Sequence, residues 1–571
     1  MKQVSGRAIA GLRQGKFDAI DFVEQLFVGK GPPDAQGRVR EATVQLAFDI
    51  ENGEAEDSRL YSTTIRDRLI QVLPQAQDRK SQTRSGSKLP DARLDAFTGE
   101  AEEIEDKTFP KVDLPVPSGK DRAGAFGRRR FPLASMFSEA RCNTRYGLTD
   151  ALVFPLAKTR ATKLKEALEE VTSDSRHEKT WQHVASGRFD LQGGRKIEKP
   201  DLLIAYVEEK PMLDAKTAGY FGQGPSVVED KFEVDSAALC EAFRGVLREK
   251  PQAKLNLFLI REVSKGQAQV VLAESPAVKD VLEAAERWQQ AVRENIPNVT
   301  IYLPERTIGG KKVAAVPNAR PTATYPDQVV RLLSHQWIRG GSEEQPVVGP
   351  GLAEVLTLML RTKGKWEPTA HRLLGLLLER VSPLLIGLFA AKHAYGPRIT
   401  QGKREPLDDY PRQSRETALH AVAVSGILLN ALASRKEDYM KDAPYQIGQM
   451  LALADTLHKD YCTVVRHGEL PSSLIGTALM RRALDSPAGA LAELSERIIE
   501  YVRWAKVAQI SDEWKDENDQ RRIAVNEARK KLRQYQTLAD ALGKLELPTE
   551  CDDLMKAQLL LGFLATPPEE D

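Results

Sequence analysis

The sequence predicts two structural classes in one chain: an α+β region of mixed small sheets and helices at residues 1–320, followed by an all-α helical bundle at residues 327–571. Patterns typical of strands stop at Leu303. Residues 308–326 are rich in glycine, proline and basic residues, which indicates a boundary. Beyond that boundary, apolar residues recur every three or four positions, which is the period of one helix face.

The α+β region contains all the predicted strands. Its most complete pattern is a β-hairpin around Ser264-Lys265-Gly266 followed by an amphipathic helix. The elements predicted here are helices at 8–28, 62–73, 161–171 and 277–294, and strands at 42–50, 201–207, 254–261, 267–273 and 299–303.

The second region is predicted to contain helices only. A corner between two of them is expected at residues 442–450, because proline lacks the N–H that a helix interior needs, so one helix ends before Pro444 and the next begins after it. Tyr445 can pack between the two helices, and Gly448 lets a neighbouring helix come close. The predicted helices are 328–337, 352–360, 367–380, 384–392, 417–434, 444–459, 474–484, 488–507, 511–542 and 552–564.

Length, charge and cysteine content narrow the class of protein. At about 150 residues per domain, 571 residues predict three or four domains. The formal net charge of +1 argues against a uniformly basic nucleic-acid binder, although charge can be segregated along the chain. Four scattered cysteines, the lack of an apolar signal core near Met1 and the lack of an unbroken apolar span predict a cytoplasmic protein without membrane contact.

Charge is indeed segregated at residues 107–145, where nine residues are basic and three are acidic. Prolines and glycines exclude a helix through much of this segment, so a long irregular loop is expected. Arg128, Arg129 and Arg130 lie beside Phe126 and Phe131, which would offer phosphate contacts and base stacking in one place. A solvated surface loop is the alternative. The basic residues are Lys107, Lys111, Lys120, Arg122, Arg128, Arg129, Arg130, Arg141 and Arg145.

A second basic segment lies in the predicted helix 511–542. Arg522, Arg529 and Arg533 are separated by seven and four residues, which places them on roughly one face of a helix. Such a row is either a solvated helix face or a path for single-stranded DNA.

Two sets of carboxylates match the D…E-x-K pattern of metal-dependent nucleases, in which acidic side chains hold a divalent cation that activates water. Asp201 precedes Glu208-Glu209-Lys210, but an odd separation on one strand puts Asp201 and Glu208 on opposite faces. Asp214 precedes Glu229-Asp230-Lys231 without clear strands around it. Ordinary surface charge is the alternative to a nuclease.

Several segments resemble the large subunit of type I-C CRISPR interference complexes, known as Cascade. That family has a proline–aromatic step, a nearby glycine and an apolar helix, as at residues 442–450, and then a proline turn and long helix, as at 484–504. Asn143-Thr144-Arg145-Tyr146-Gly147 with Phe154-Pro155-Leu156-Ala157 is similar to a second family segment. The strand–turn–strand–helix pattern at 254–294 and the paired helices at 352–380 are similar to others.

The resemblance implies a non-enzymatic subunit in antiviral defence. Such a subunit recognises the short PAM on target double-stranded DNA, stabilises the R-loop and recruits the helicase–nuclease, while the guide RNA (crRNA) reads the sequence by pairing. The implied partners are the crRNA, the target duplex and its displaced strand, the Cascade backbone subunits, the subunit that binds the crRNA 5′ end, and the helicase–nuclease. A purely structural helical scaffold is the remaining alternative.

The resemblance also implies roles for particular residues and segments. The basic segment 107–145 would sense the PAM and help dock the subunit, with Lys120, Arg122 and the three consecutive arginines on phosphates and with Asn143 and Arg145 on base edges. Residues 440–571 resemble a small subunit that can be made separately from an internal methionine such as Met440 or Met359. Because only Cys142 stands where the family often has a cysteine pair, no metal or other cofactor is expected.

Overall fold

The computed structural model describes residues 92–104, 109–115, 127–133, 154–192, 194–222, 231–264, 267–308, 311–362, 364–395, 410–514 and 519–565. The chain divides after Asp91, and all of these residues belong to the second unit, Ala92–Asp571. The elements predicted at 8–28, 42–50 and 62–73 lie outside the described residues.

The first part of the described chain mixes strands and helices, as predicted. The strands are β1 Ala92–Leu94, β2 Ala101–Glu103, β3 Lys111–Leu114, β4 Arg129–Pro132, β5 Trp181–Val184, β6 Phe189–Gln192, β7 Arg195–Glu198, β8 Asp201–Val207, β9 Leu255–Ser264, β10 Gln267–Glu274, β11 Ile301–Leu303, β12 Arg306–Ile308, β13 Lys311–Val313 and β14 Val316–Ala319. The helices are α1 Lys158–Val171, α2 Thr217–Gly222, α3 Lys231–Glu249 and α4 Val278–Glu294, with a 3-10 turn at Asp174–Arg176.

One sheet of four strands organises this part, in the antiparallel order β10-β9-β8-β5. Successive residues of a strand point to opposite faces, and both faces of β8 are buried. Leu203 and Ala205 belong to the main hydrophobic core. Leu202 and Ile204 belong to a second cluster, which includes Phe131 of the β3–β4 pair. The antiparallel pairing of β9 with β10 confirms the predicted hairpin, and α4 confirms the helix predicted after it.

The second part is rich in helices, and the prediction of a helical C-terminal region is confirmed. Its elements are α5 Pro326–Leu333, β15 His335–Ile338, a 3-10 turn Arg339–Gly341, β16 Glu343–Pro346, α6 Leu352–Met359, α7 Trp366–Tyr395, α8 Arg412–Ala431, α9 Lys436–Tyr439, α10 Ala443–Val465, α11 Ile475–Asp485, α12 Pro487–Arg497, α13 Ile499–Val507, α14 Gln520–Leu542 and α15 Asp553–Leu564.

Several boundaries differ from the prediction. The helix predicted through Trp337 ends at Leu333, and β15 pairs with the polar strand β16 to form a small hairpin. Helix α7 continues through Pro383, which was predicted to separate two helices. Residues before and after Pro383, such as Val381 and Leu385, are buried in the same core, and this packing offsets the hydrogen bond that proline cannot make.

Helix α10 is the centre of the C-terminal part, because α14, α15 and α11 all pack against it. Tyr445 is buried at its start. The prediction for Gly448 is confirmed: a Cβ added there would lie 2.7 Å from the backbone nitrogen of Phe563 on α15. The relation is reciprocal, since a Cβ on Gly562 would lie 2.9 Å from the carbonyl carbon of Tyr445.

The hydrophobic core is continuous across the change of structural class near residue 320. One hydrophobic cluster contains residues from both sides of it. Helix α4 contacts α8, and the Trp288 indole nitrogen donates a hydrogen bond of 2.9 Å to the Thr324 carbonyl.

Helix α7 is long and apolar enough, over Trp366–Ala394, to cross a membrane by length and composition alone. Half of its most apolar window is buried inside the protein, where α7 contacts α8, α10 and α15. Helix α7 therefore packs as part of the protein's hydrophobic core.

Candidate nucleic-acid interface

Helix α14 carries six basic residues: Arg521, Arg522, Arg529, Lys530, Lys531 and Arg533. Its first turn is fixed by Asp519, whose carboxylate accepts a hydrogen bond of 2.9 Å from the Arg521 backbone N–H. One side of the helix is apolar and packs on α10. The buried residues on that side are Ala524, Val525, Ala528, Leu532, Tyr535 and Leu542.

Two of the basic side chains on α14 form ion pairs within the protein. Lys531 lies 2.8 Å from the Asp460 carboxylate of α10, and both side chains are largely buried. Burial raises the pKa of Asp460, and the Lys531 charge opposes that rise. Arg521 bonds the Asp519 carboxylate and stacks over Trp514, 5.2 Å from the ring centroid. These contacts hold the helix in place.

The predicted row lies on the other side of α14. Arg522 is partly exposed and Arg533 is exposed, and neither makes a hydrogen bond or ion pair within the described part of the chain. Lys530, beside the row, is likewise unpaired there. Arg529 is exposed but donates a hydrogen bond of 2.7 Å to the Ala508 carbonyl. The row therefore keeps guanidinium donors that no protein acceptor occupies.

Helix α13, which contacts α14, adds two cations outside the predicted row. Arg503 and Lys506 are exposed, and neither has a hydrogen-bond or ion-pair partner among the residues described. Their spacing of three residues on a predicted helix was the available signal, since such residues share a face.

The first basic segment differs from the predicted irregular loop in its described parts. Residues 111–114 and 129–132 form the antiparallel pair β3–β4, with Asp113 opposite Arg130. Phe131 is buried against the four-stranded sheet and cannot stack on a base. The expectation of an irregular backbone with stacking by Phe131 was wrong, because Val112, Leu114 and Phe131 give the strand pair a buried apolar face.

The three consecutive arginines have different environments. Arg128 donates hydrogen bonds to the carbonyls of Thr172 and Asp113 at 2.9 and 2.8 Å. Arg129 forms an ion pair with Glu262 on β9. Arg130 alone is exposed and unpaired in the described chain. Lys120, Arg122, Asn143 and Arg145 lie outside the described residues.

Two carboxylates of the nuclease pattern, Asp201 and Asp214, have protein partners. Asp201 is buried, and its carboxylate accepts hydrogen bonds from Nε and Nη2 of Arg261. The shortest of these hydrogen bonds is 2.7 Å. Asp214 forms an ion pair with Lys179, and Glu208 is exposed. Residues 229 and 230 are outside the described chain. Within it, no three His, Cys, Asp or Glu residues are grouped as a metal site would require.

No family model matches this chain, and no curated protein matches it either.

Proposed function

We propose that this chain is the large subunit of a type I, I-C-like CRISPR Cascade complex. In this role it binds target double-stranded DNA beside the PAM, stabilises the displaced strand of the R-loop and recruits the helicase–nuclease, without being an enzyme itself. It would work in the cytoplasm with the crRNA, the backbone subunits and the subunit on the crRNA 5′ end.

The observation that carries the proposal is the pair of unpaired guanidinium groups at the two ends of the row on α14. On that helix, the cations facing inward form ion pairs, while Arg522 and Arg533 have no protein acceptor in the described residues. Unpaired cations along one face fit the phosphates of a nucleic-acid backbone, whose counterions they release on binding. The resemblance at residues 442–450 and 484–504 supports the choice of family.

The spacing of the row supports contact with an extended strand. Arg522 and Arg533 are eleven residues apart, and a rise of about 1.5 Å per residue puts them about 16 Å apart along the helix. Arg529, between them, is exposed although it bonds to Ala508. We propose that the displaced DNA strand follows this face.

We propose a second contact, with the duplex at the PAM, for the basic segment 107–145. Arg130 is the free arginine of its described part and would contact a phosphate. Lys120 and Arg122 would add phosphate contacts, and Asn143 and Arg145 would read base edges, since Asn pairs with adenine and Arg with guanine.

Affinity purification of the tagged chain from its own host tests the family. The proposal expects crRNA of uniform length and a backbone protein present in several copies to co-purify. Recovery of the chain alone, with no RNA, would favour the structural scaffold. Release of acid-soluble nucleotides with magnesium, lost in Asp201→Ala or Asp214→Ala, would favour the nuclease.

Salt dependence of binding tests the row itself. For single strands, each lost phosphate contact lowers the slope of log affinity against log salt by about 0.7, so Arg522→Ala with Arg533→Ala should lower it by about 1.4. The matched control is Arg244→Ala with Arg248→Ala on α3, where two exposed arginines also make no hydrogen bond or ion pair. Equal slopes for the two double variants would refute the path along α14.

A further inference from the structure

A small cavity lies between three helices, none of which is the basic helix α14. It is lined by residues of α4, of α8 and of the end of α6, and its volume is about 20 Å³. Its apolar wall includes Trp288 and Met359, and its polar lining consists of Arg287, Arg361 and Asn430. Ligand sites in proteins typically combine an apolar wall with a small number of polar groups, and here two of the three polar groups are cationic.

The Arg287 side chain has an unused donor. Its Nε–H is buried and has no hydrogen-bond partner, and buried polar groups of this kind are rare in folded proteins. The nearest carboxylate is Glu283, whose oxygen lies 3.8 Å from Nη1 and whose side chain is half exposed. That contact is too long for a hydrogen bond.

The Arg361 guanidinium is held close to a like charge. It stacks over Trp366, 5.2 Å from the ring centroid, and its backbone has φ of 50°, a left-handed conformation that is uncommon for residues with a side chain. Burial and the charge of Arg287 lower the pKa of Arg361. No carboxylate pairs with it in the described chain.

Asn430 completes the lining from α8. Its side-chain amide makes no hydrogen bond within the described residues. Polar groups from three separate elements therefore line the cavity: the Arg287 guanidinium on α4, the Arg361 guanidinium after α6 and the Asn430 amide on α8. A tetrahedral oxyanion presents oxygens in several directions and can accept from all three, whereas one water has two acceptor lone pairs and carries no negative charge to offset the two guanidinium groups.

We propose that this cavity is a binding site for a phosphoryl group, a site that goes beyond the proposed function and does not depend on it. About 20 Å³ is room for one water-sized atom, so one phosphoryl oxygen enters and the others stay at the mouth. The source is either free phosphate or a phosphate of a nucleic-acid backbone, and the recognising chemistry is the same.

Calorimetric titration of the full chain with inorganic phosphate, in chloride buffer, tests the proposal. The wild type should bind phosphate saturably. Arg287→Gln and Arg361→Gln should each bind at least about tenfold more weakly, because each removes a charge-assisted hydrogen bond. Arg248→Gln, at an exposed arginine on α3, should bind as the wild type does.

Thermal unfolding separates loss of the site from loss of the fold. Without phosphate, Arg361→Gln should melt close to the wild-type temperature, because the loss of stacking on Trp366 opposes the relief of charge repulsion with Arg287. With phosphate, the wild type should gain stability and the variant should not, because a ligand stabilises only the state it binds. No phosphate response in the wild type, or an equal response in Arg361→Gln, would overturn the proposal.

Repeating the calorimetry with a saturating single-stranded oligonucleotide identifies the source. If a backbone phosphate occupies the cavity, the heat of phosphate binding disappears. If the free anion is the ligand, that heat persists. Either result supports the phosphoryl site and assigns its occupant.

Discussion

The contact between α10 and α15 yields the sharpest test of the fold. Gly448 and Gly562 face each other's helix backbones, and a Cβ at either would lie within 3 Å of backbone atoms, closer than real Cβ atoms come. The atoms that it meets belong to backbone, which cannot rotate away as a flexible side chain can. Gly448→Ala must therefore move α15 outward or strain both helices.

The expected cost follows from two opposing terms. Overpacking a well-packed interface costs about 1–3 kcal/mol, and the upper end applies because backbone opposes backbone. Replacing Gly by Ala inside a helix contributes about 1 kcal/mol in the favourable direction. The net expectation for Gly448→Ala is a loss of about 2 kcal/mol. Gly562→Ala should cost a similar amount. The double variant should cost less than the sum of the two single variants, because one outward shift of α15 makes room for both methyl groups.

The control is the same substitution at a position with free space. Gly245 lies within α3, and nothing lies within 4 Å of an added Cβ. Gly245→Ala should stabilise the protein by up to about 1 kcal/mol. The two substitutions share their chemistry and their helix propensity, so their difference reports the contact alone.

Amide hydrogen exchange in α15, residues 553–564, is the suitable assay because it reports local opening. A loss of about 2 kcal/mol should speed exchange there about thirtyfold in Gly448→Ala. Gly245→Ala should leave exchange in α15 unchanged. If Gly448→Ala protects α15 as well as the wild type does, the two helices are not in close contact in solution and the reasoning fails.

Three further predictions concern buried polar groups. Asp455→Ala should cost on the order of 2 kcal/mol in chemical denaturation, because the Asp455 carboxylate accepts the first backbone N–H groups of α11. Lys531→Met should cost about 3 kcal/mol by leaving Asp460 buried without its partner, and adding Asp460→Asn should recover part of the loss. Burial lowers the pKa of His458 below 6.5, so the unfolded chain takes up a proton first as pH falls below 6.5. Stability should therefore decrease from that pH down to the folded pKa, and His458→Phe, which keeps a ring beside Tyr501, should show a smaller decrease between about pH 7 and pH 5.

The sequence by itself determined the order of structural classes and most helices of the C-terminal region. The spacing of apolar residues is a local property of the sequence. It indicates a helix and shows which face of that helix is buried. The corner at Pro444 and the close approach at Gly448 also followed from local chemistry, since the missing N–H and the missing Cβ act wherever the residue lies.

The sequence could also place Arg522, Arg529 and Arg533 on one face, but it could not say which basic residues were already used. Lys531 and Arg521 are basic residues of the same predicted helix, and nothing in the sequence shows that their charges are paired within the protein. Only the folded chain brings Asp460 beside Lys531 from far along the sequence, and charges are paired by distance in space.

Tertiary structure alone decided the remaining features. Pro383 stays inside a helix because the core holds both of its sides, and Phe131 is buried because the four-stranded sheet lies against it. The cavity at Arg287 and Arg361 has no signal in the sequence, because its residues come from three helices that are distant along the chain. Local patterns specify elements, whereas contacts between distant elements depend on the packing that closes one core around them.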